Sequence, residues 1–269
     1  MRRKGQKMSQ ITNHARAQLK NGQLSLGANV RLARTPDIVR ILKVAGFDWL
    51  WCDRELTDLP LDIASQIALC AIDNGITPLM RISQHSAEEV NLVLTCGFMG
   101  VIIPHVDTAE QARPLVRATR FLPKGDRAAP NVYLHFGYQP ISHQHAANIL
   151  NEHTMCVVLL ESRQAIRNAD EIAAVEGVDV LWVGASDLSF DLGIPGESAH
   201  PMIEDACKTV IAAAQKHGKY AGVGGVSDND ALKKYIKYGI RFISSGVDSG
   251  FLANGAKNRV DWLRGTLSN

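Results

Sequence analysis

Two carboxylates stand out by their placement. Glu161 closes the apolar run CVVLLES at 156–162, and Asp187 sits in VLWVGASDLS at 180–189. If both runs are parallel strands, the two acids emerge at the same end of one sheet, where they could hold a hard divalent cation. Other polar residues fall at the ends of similar runs: Asp53, Arg54 and Glu55 after the second, Arg81 at the end of the third, His105 after the fourth, and Ser186 beside Asp187. An arginine and two carboxylates at one mouth suit carbonyl activation. The cation would act as a Lewis acid on the keto oxygen of a 2-oxo acid, with Arg81 adding positive charge beside the developing enolate oxygen. Backbone N–H groups of Gly184, Ala185, Ser186 and Asp187, at the start of a helical segment, could receive the substrate carboxylate.

Each residue also has a plainer reading. Glu161 alone could be a salt-bridge partner at a rim, Arg81 a paired rim residue, and Asp187 the N-cap of a helix beginning at Leu188. His105 precedes a polar turn, so a hydrogen-bonded structural role is expected. His135, His143 and His145 lack metal-ligand spacing on a helix face and receive no role. The glycine-rich segments at 222–226 and 244–250 lie where many barrels bind phosphate, but glycines there also serve tight turns, and neither contains a lysine or arginine. A phosphate-sugar enzyme is the alternative of a different class, one with little need for two metal-binding acids.

The elements that must position these residues alternate along the chain. Eight β-rich runs lie at 25–32, 48–53, 77–82, 100–106, 156–161, 180–185, 220–225 and 241–246. Between them, three- and four-residue apolar spacing predicts helices over 35–45, 60–74, 86–96, 108–120, 201–217 and 228–238. Thr35, Ser86, Thr108 and Asp228 are placed as caps, and Gly46, Gly75, Gly97, Gly218 and Gly239 as left-handed helix stops. The strand runs are apolar throughout, as strands covered on both faces require. The expected fold is α/β, a (β/α)8 TIM barrel, with a doubly wound open sheet as the alternative. Residues 121–155 form a long insertion, expected to carry a helix near 140–151 over the active-site end.

The chain has 269 residues, 46% of them hydrophobic, with no linker-like tract, so one barrel domain over 17–269 after an N-terminal tail, 1–16, is expected. Net charge is +2, from 29 basic and 27 acidic residues, and this argues against a nucleic-acid groove or a membrane patch. The basic start MRRKGQKMSQ is followed by polar residues, and no run has the length of a membrane span. Five scattered cysteines without CxxC spacing point to reduced thiols, hence to a cytoplasmic protein.

From about residue 17 onward the chain resembles the HpcH/HpaI metal-dependent pyruvate aldolases of the phosphoenolpyruvate/pyruvate barrel superfamily. The resemblance is carried by AGFDWLWCDRE (45–55), PLMRI (78–82), GFMGVIIPHVDTAEQA (97–112), PKGDR (123–127), LLES (159–162), VEGVDVLWVGASDLSFDLGIPG (175–196) and GVDSGFL (246–252). It implies a class II aldolase joining or separating a pyruvate enolate and an aldehyde. Glu161 and Asp187 would bind Mg2+, Mn2+ or Co2+, Arg81 would stabilise the enolate, and Ala185 to Asp187 would cradle the pyruvate carboxylate. It also implies a homo-oligomer, often a hexamer, with the helix at 249–265 contributing. Two positions depart from the family pattern. Leu56 stands where a histidine paired with the position of Asp53 handles the proton, and Leu159 stands where a glutamine is common. The metal and enolate half is intact while the proton-transfer half is altered. Three outcomes follow, in order: an aldolase whose base comes from elsewhere, for instance a metal-bound hydroxide oriented by Glu55 or Asp53; an oxaloacetate-type decarboxylase; or an impaired binder of metal and oxo acid.

Overall fold

The computed structural model describes residues 11–267, so most of the expected tail, 1–10, and the last two residues lie outside the described residues. Helix α1 (His14–Lys20) comes first, its first three residues falling in the stretch assigned to the tail. Strand β1 (Ser25–Val30), α2 (Asp37–Ala45), β2 (Trp49–Asp53), α3 (Leu61–Asp73), β3 (Thr77–Arg81), α4 (Ala87–Thr95) and β4 (Gly100–Ile103) follow. After α5 (Ala109–Ala118) a long loop leads to α6 (His143–His153), β5 (Met155–Leu160), the short α7 (Arg163–Arg167) and α8 (Ala169–Ala173), and β6 (Val180–Gly184). The chain ends with α9 (Ala185–Asp191), α10 (Pro201–Lys216), β7 (Tyr220–Gly224), α11 (Asn229–Tyr238), β8 (Phe242–Val247) and α12 (Asp248–Gly265). Among the described residues eight parallel strands close in chain order, β1 pairing with both β2 and β8. This is the (β/α)8 barrel, and closure removes the open-sheet alternative.

Large apolar side chains fill the interior. Trp49 stacks on Phe242 with ring centroids 4.0 Å apart, and Trp182 meets Trp49 and Trp51 edge-on at 5.9 and 5.7 Å. Gly27 on β1 makes this possible, because a Cβ there would fall inside the Trp49 indole. Ala15 and Leu19 of α1 pack into the same cluster from the N-terminal end, where the Ala15 N–H donates to Thr77 Oγ1 at the start of β3 (3.1 Å). Aromatic packing beneath and helices around leave the C-terminal strand ends as the rigid rim on which a site can be built.

Most local expectations hold. Gly46, Gly75, Gly97, Gly218 and Gly239 all adopt positive φ after a helix. Ser86, Thr108 and Asp228 cap their helices through side-chain bonds, Thr108 in a full capping box with Gln111. Thr35 does not cap: α2 starts at Asp37 behind Pro36, whose own φ of -60° is already helical. The insertion helix lies at 143–153 rather than 140–151, because Ser142 supplies the cap. The helices α7 and α8, of five residues each, were not expected, one or two turns showing too little periodicity to read, whereas α9 falls on the helical segment expected after Gly184.

Candidate active site

Register sets the first contact of the site. Asp53 and Arg81 are Cα partners at the ends of β2 and β3, so their side chains emerge together. Arg81 Nε donates to Asp53 Oδ1 at 2.9 Å and Nη2 to Oδ2 at 2.6 Å, a bidentate fork in which both residues are buried. Arg81 Nη1 lies 2.7 Å from Glu55 Oε2, and the guanidinium sits over the Trp51 ring, 5.2 Å from its centroid. Burial opposes charge on Arg81, but its bonds to Asp53 and the nearby carboxylates outweigh this and raise its pKa. Two of the five guanidinium N–H groups are hydrogen-bonded to Asp53, Glu55 adds an ion pair, and Arg81 lines the cavity.

The chain of contacts continues. Glu55 Oε1 lies 2.7 Å from His105 Nε2, and His105 Nδ1 lies 3.1 Å from Glu161 Oε2, which also accepts the His105 backbone N–H at 3.2 Å. His105 reaches both acids from a left-handed backbone, φ 51°, a conformation that costs free energy outside glycine and that clusters at functional sites. Burial disfavours its charge, yet Glu161 and Glu55 together raise its pKa. The exits of β2, β3, β4 and β5 are thus joined through Asp53, Arg81, Glu55, His105 and Glu161.

Glu161 is 5% exposed. Burial pushes its carboxyl up to about 7; Asp187 pushes the same way, while His105 and Arg81 resist. Oε2 is occupied by His105, and Oε1 accepts no hydrogen bond among the described residues. Gly184 gives the carboxylate its room, since a Cβ there would stand 2.8 Å from Oε1. Asp187 lies in the first turn of α9, which begins at Ala185 behind Gly184, so it is not the cap of a helix starting at Leu188. Buried Glu161, with an unengaged oxygen, and exposed Asp187 repel one another, and such a pair fits a hard divalent cation. Among the described residues no group of three or more His, Cys, Asp and Glu forms a protein-only cage, so substrate and water would complete the coordination.

Glu161, Asp187, Arg81, Gly184 and Ser186 line one cavity of about 590 Å3, with Leu56, Leu159, Trp51 and Trp182 as its apolar wall. Both glycine-rich segments contribute, through Gly224 to Ser227 and Ser244 to Val247. Ala185 is buried and lines a smaller neighbouring cavity of about 180 Å3. Arg54 turns away to Glu89 on α4, at 2.9 Å. Asp53 and Glu55 are both held against Arg81. His105, expected as a hydrogen-bonded structural residue, lies between Glu55 and Glu161. His135 is buried away from the site with Nε2 3.1 Å from the Phe98 carbonyl.

A closed barrel with an acid pair and a clamped arginine around one cavity at its C-terminal mouth is an enzyme scaffold. The family described as HpcH/HpaI aldolase/citrate lyase matches residues 31–255, and the chain belongs to that family. It is 38% identical over 246 residues to a 4-hydroxy-4-methyl-2-oxoglutarate aldolase of Hapsidospora irregularis, covering 88% of this chain and 89% of the relative. It is 33% identical over 261 residues to a 5-keto-4-deoxy-D-glucarate aldolase of Escherichia fergusonii, covering 93% and 96%. A solved HpcH/HpaI aldolase from Desulfitobacterium hafniense superposes with a TM-score of 0.87 at 27% identity, covering 93% and 96%. The protein is a carbon–carbon lyase of the aldolase type, and class II aldolases of this family depend on a divalent metal.

Proposed function

We propose that this chain makes and breaks a bond between the enolate of pyruvate and an aldehyde, with Glu161 and Asp187 as metal ligands and His105 as the proton-handling group. The observation that carries the reading is the unbroken run of contacts from Asp53 through Arg81, Glu55 and His105 to Glu161, of which Arg81 and Glu161 line the cavity together with Asp187. Mg2+, Mn2+ or Co2+ held by the two acids would polarise the keto oxygen of the 2-oxo acid. Arg81, held in place by Asp53 and Glu55 before substrate arrives, would add positive charge beside that oxygen. Backbone N–H groups of the first turn of α9, Ala185 to Asp187, have no partner within the helix and are available to the substrate carboxylate. The apolar Leu159 wall keeps water away from the enolate. Leu56 carries no proton; His105, bonded through Nε2 to Glu55, can hold one beside the mouth.

Deuterium exchange into the methyl group of pyruvate, followed by NMR in D2O with Mn2+ or Mg2+, tests this. Exchange that stops with chelator and with Glu161→Ala is expected; silence in the wild type with release of CO2 from oxaloacetate would replace the aldolase reading by a decarboxylase.

The assembly we propose is a homo-oligomer, a hexamer built with α12. That helix is exposed from Phe251 onward, presenting Phe251, Leu252, Val260, Trp262 and Leu263. Light scattering on the purified protein checks this. A cytoplasmic setting suits the five free thiols of the described residues.

A further inference from the structure

We propose that His85 is a positioning residue for the reaction: by fixing the Pro104–His105 peptide it holds His105 in the left-handed turn that places the imidazole between Glu55 and Glu161. The inference rests on the proton-handling role proposed for His105 and deepens it. His85 lies on the loop between β3 and α4, and its ring Nε2 stands 2.6 Å from the Pro104 carbonyl oxygen. A carbonyl oxygen can only accept, so Nε2 carries the proton and donates it. The N–H of the same peptide, that of His105, donates to Glu161 Oε2 at 3.2 Å. Both polar atoms of one peptide group are thus held, one from the loop after β3 and one from the exit of β5.

That double hold bears on the backbone of His105. A residue leaves the left-handed region by turning the peptide that precedes it, and a histidine at φ 51° gains by doing so, because its Cβ crowds the following carbonyl oxygen. A relaxed turn would carry the imidazole away from Glu55 Oε1 and Glu161 Oε2, which lie 2.7 and 3.1 Å from its two ring nitrogens. His85 is exposed, but its loop is fastened from below. Glu89, 8% exposed on α4, accepts the Ser83 N–H at 3.0 Å, the Ser83 hydroxyl at 2.9 Å and the Gln84 N–H at 3.3 Å through one oxygen, and Arg54 Nε at 2.9 Å through the other. The Ser86 N–H donates to the Gln84 carbonyl at 2.8 Å, and Ser86 caps α4. An outer arc through Arg54, Glu89, His85 and Pro104 therefore backs the inner run from Asp53 to Glu161. His85 is not among the residues that line the cavity, so its effect on the reaction passes through His105.

The test compares His85→Phe, which keeps a ring and loses the donor, with His85→Gln, which offers an N–H at similar reach. The first readout needs no activity. In full-length protein labelled with 13C-histidine, the Cα and Cβ shifts of His105, assigned by their loss in His105→Asn, report its backbone conformation by NMR. They should leave the left-handed range in His85→Phe and stay within it in His85→Gln. The second readout is pyruvate methyl exchange with Mg2+. At saturating pyruvate the His85→Phe rate should fall by about tenfold to 10²-fold, the loss that a displaced catalytic group brings, with the KM for pyruvate unchanged and most of the rate kept in His85→Gln. In a His105→Asn background, His85→Phe should cost nothing further, since both changes act on the same step. Unmoved His105 shifts in His85→Phe, equal loss of rate in both His85 variants, or a full further loss on top of His105→Asn would each overturn the proposal. Absence of exchange in the wild type would remove the aldolase reading instead, and the His105 shifts would still decide whether His85 sets the turn.

Discussion

His105 Nε2 and Glu55 Oε1 lie 2.7 Å apart, joining the exits of two strands that are not neighbours in the barrel. The pair stands beside the loop in which Leu56 replaces the family histidine. A side chain from the β4 exit thus meets the loop after β2 one residue before Leu56.

Replacing His105 by Asn removes the imidazole while keeping a residue that tolerates the left-handed backbone. The rate of pyruvate methyl exchange should fall about 10²- to 10⁴-fold, the usual worth of a general acid or base. An unchanged exchange rate in the NMR assay would return His105 to a structural role.

Arg81→Lys keeps the charge but loses the fork. Turnover in the aldol reaction should drop about 10²- to 10³-fold, as when one oxyanion donor is lost. Arg81→Ala should in addition cost about 3–5 kcal/mol of stability by leaving the fully buried Asp53 without its counter-charge. Urea denaturation of the two variants separates these effects.

Chelator treatment should abolish turnover and lower the melting temperature. A cation at a hundred times its dissociation constant contributes about 2.7 kcal/mol to the folded state. In Glu161→Ala, calorimetric melts with and without Mn2+ should coincide; a persistent metal shift would place the cation elsewhere.

His135 sets a pH dependence of stability remote from the site. Burial lowers its pKa from 6.5 to about 4, with the Arg127 charge adding to the effect. The unfolded chain therefore takes up the proton first as pH falls. The stability present above pH 6.5 is lost progressively toward pH 4, by on the order of 3 kcal/mol. His135→Gln should flatten denaturation midpoints measured across that window, and a variant curve parallel to the wild type would rule the residue out.

The carriers of the fold were legible because they are local. Apolar runs of strand length, capping side chains such as Ser86 and Asp228, and glycines such as Gly46 that accept positive φ each act within a few residues of chain, and together they specify eight strand–helix repeats. The acid pair and Arg81 were legible for a related reason: in such a barrel every strand exit points at one mouth, so position along the run already implies a shared site. Arg31 was read as part of a strand over 25–32, and only the true end of β1 at Val30 released it to the cavity.

What the sequence determined by itself was which residues reach the rim of the barrel. Which of them touch was decided by the tertiary structure. The Asp53–Arg81 fork depends on the register between β2 and β3. The placement of His105 between Glu55 and Glu161 depends on a left-handed turn after β4, and the backbone N–H groups of Arg31, Leu32 and Ala33 are held by Asp248, more than two hundred residues away in the chain. Pairings of this kind are set by angles and distances between elements far apart in sequence, and residue types and local spacing carry no record of them.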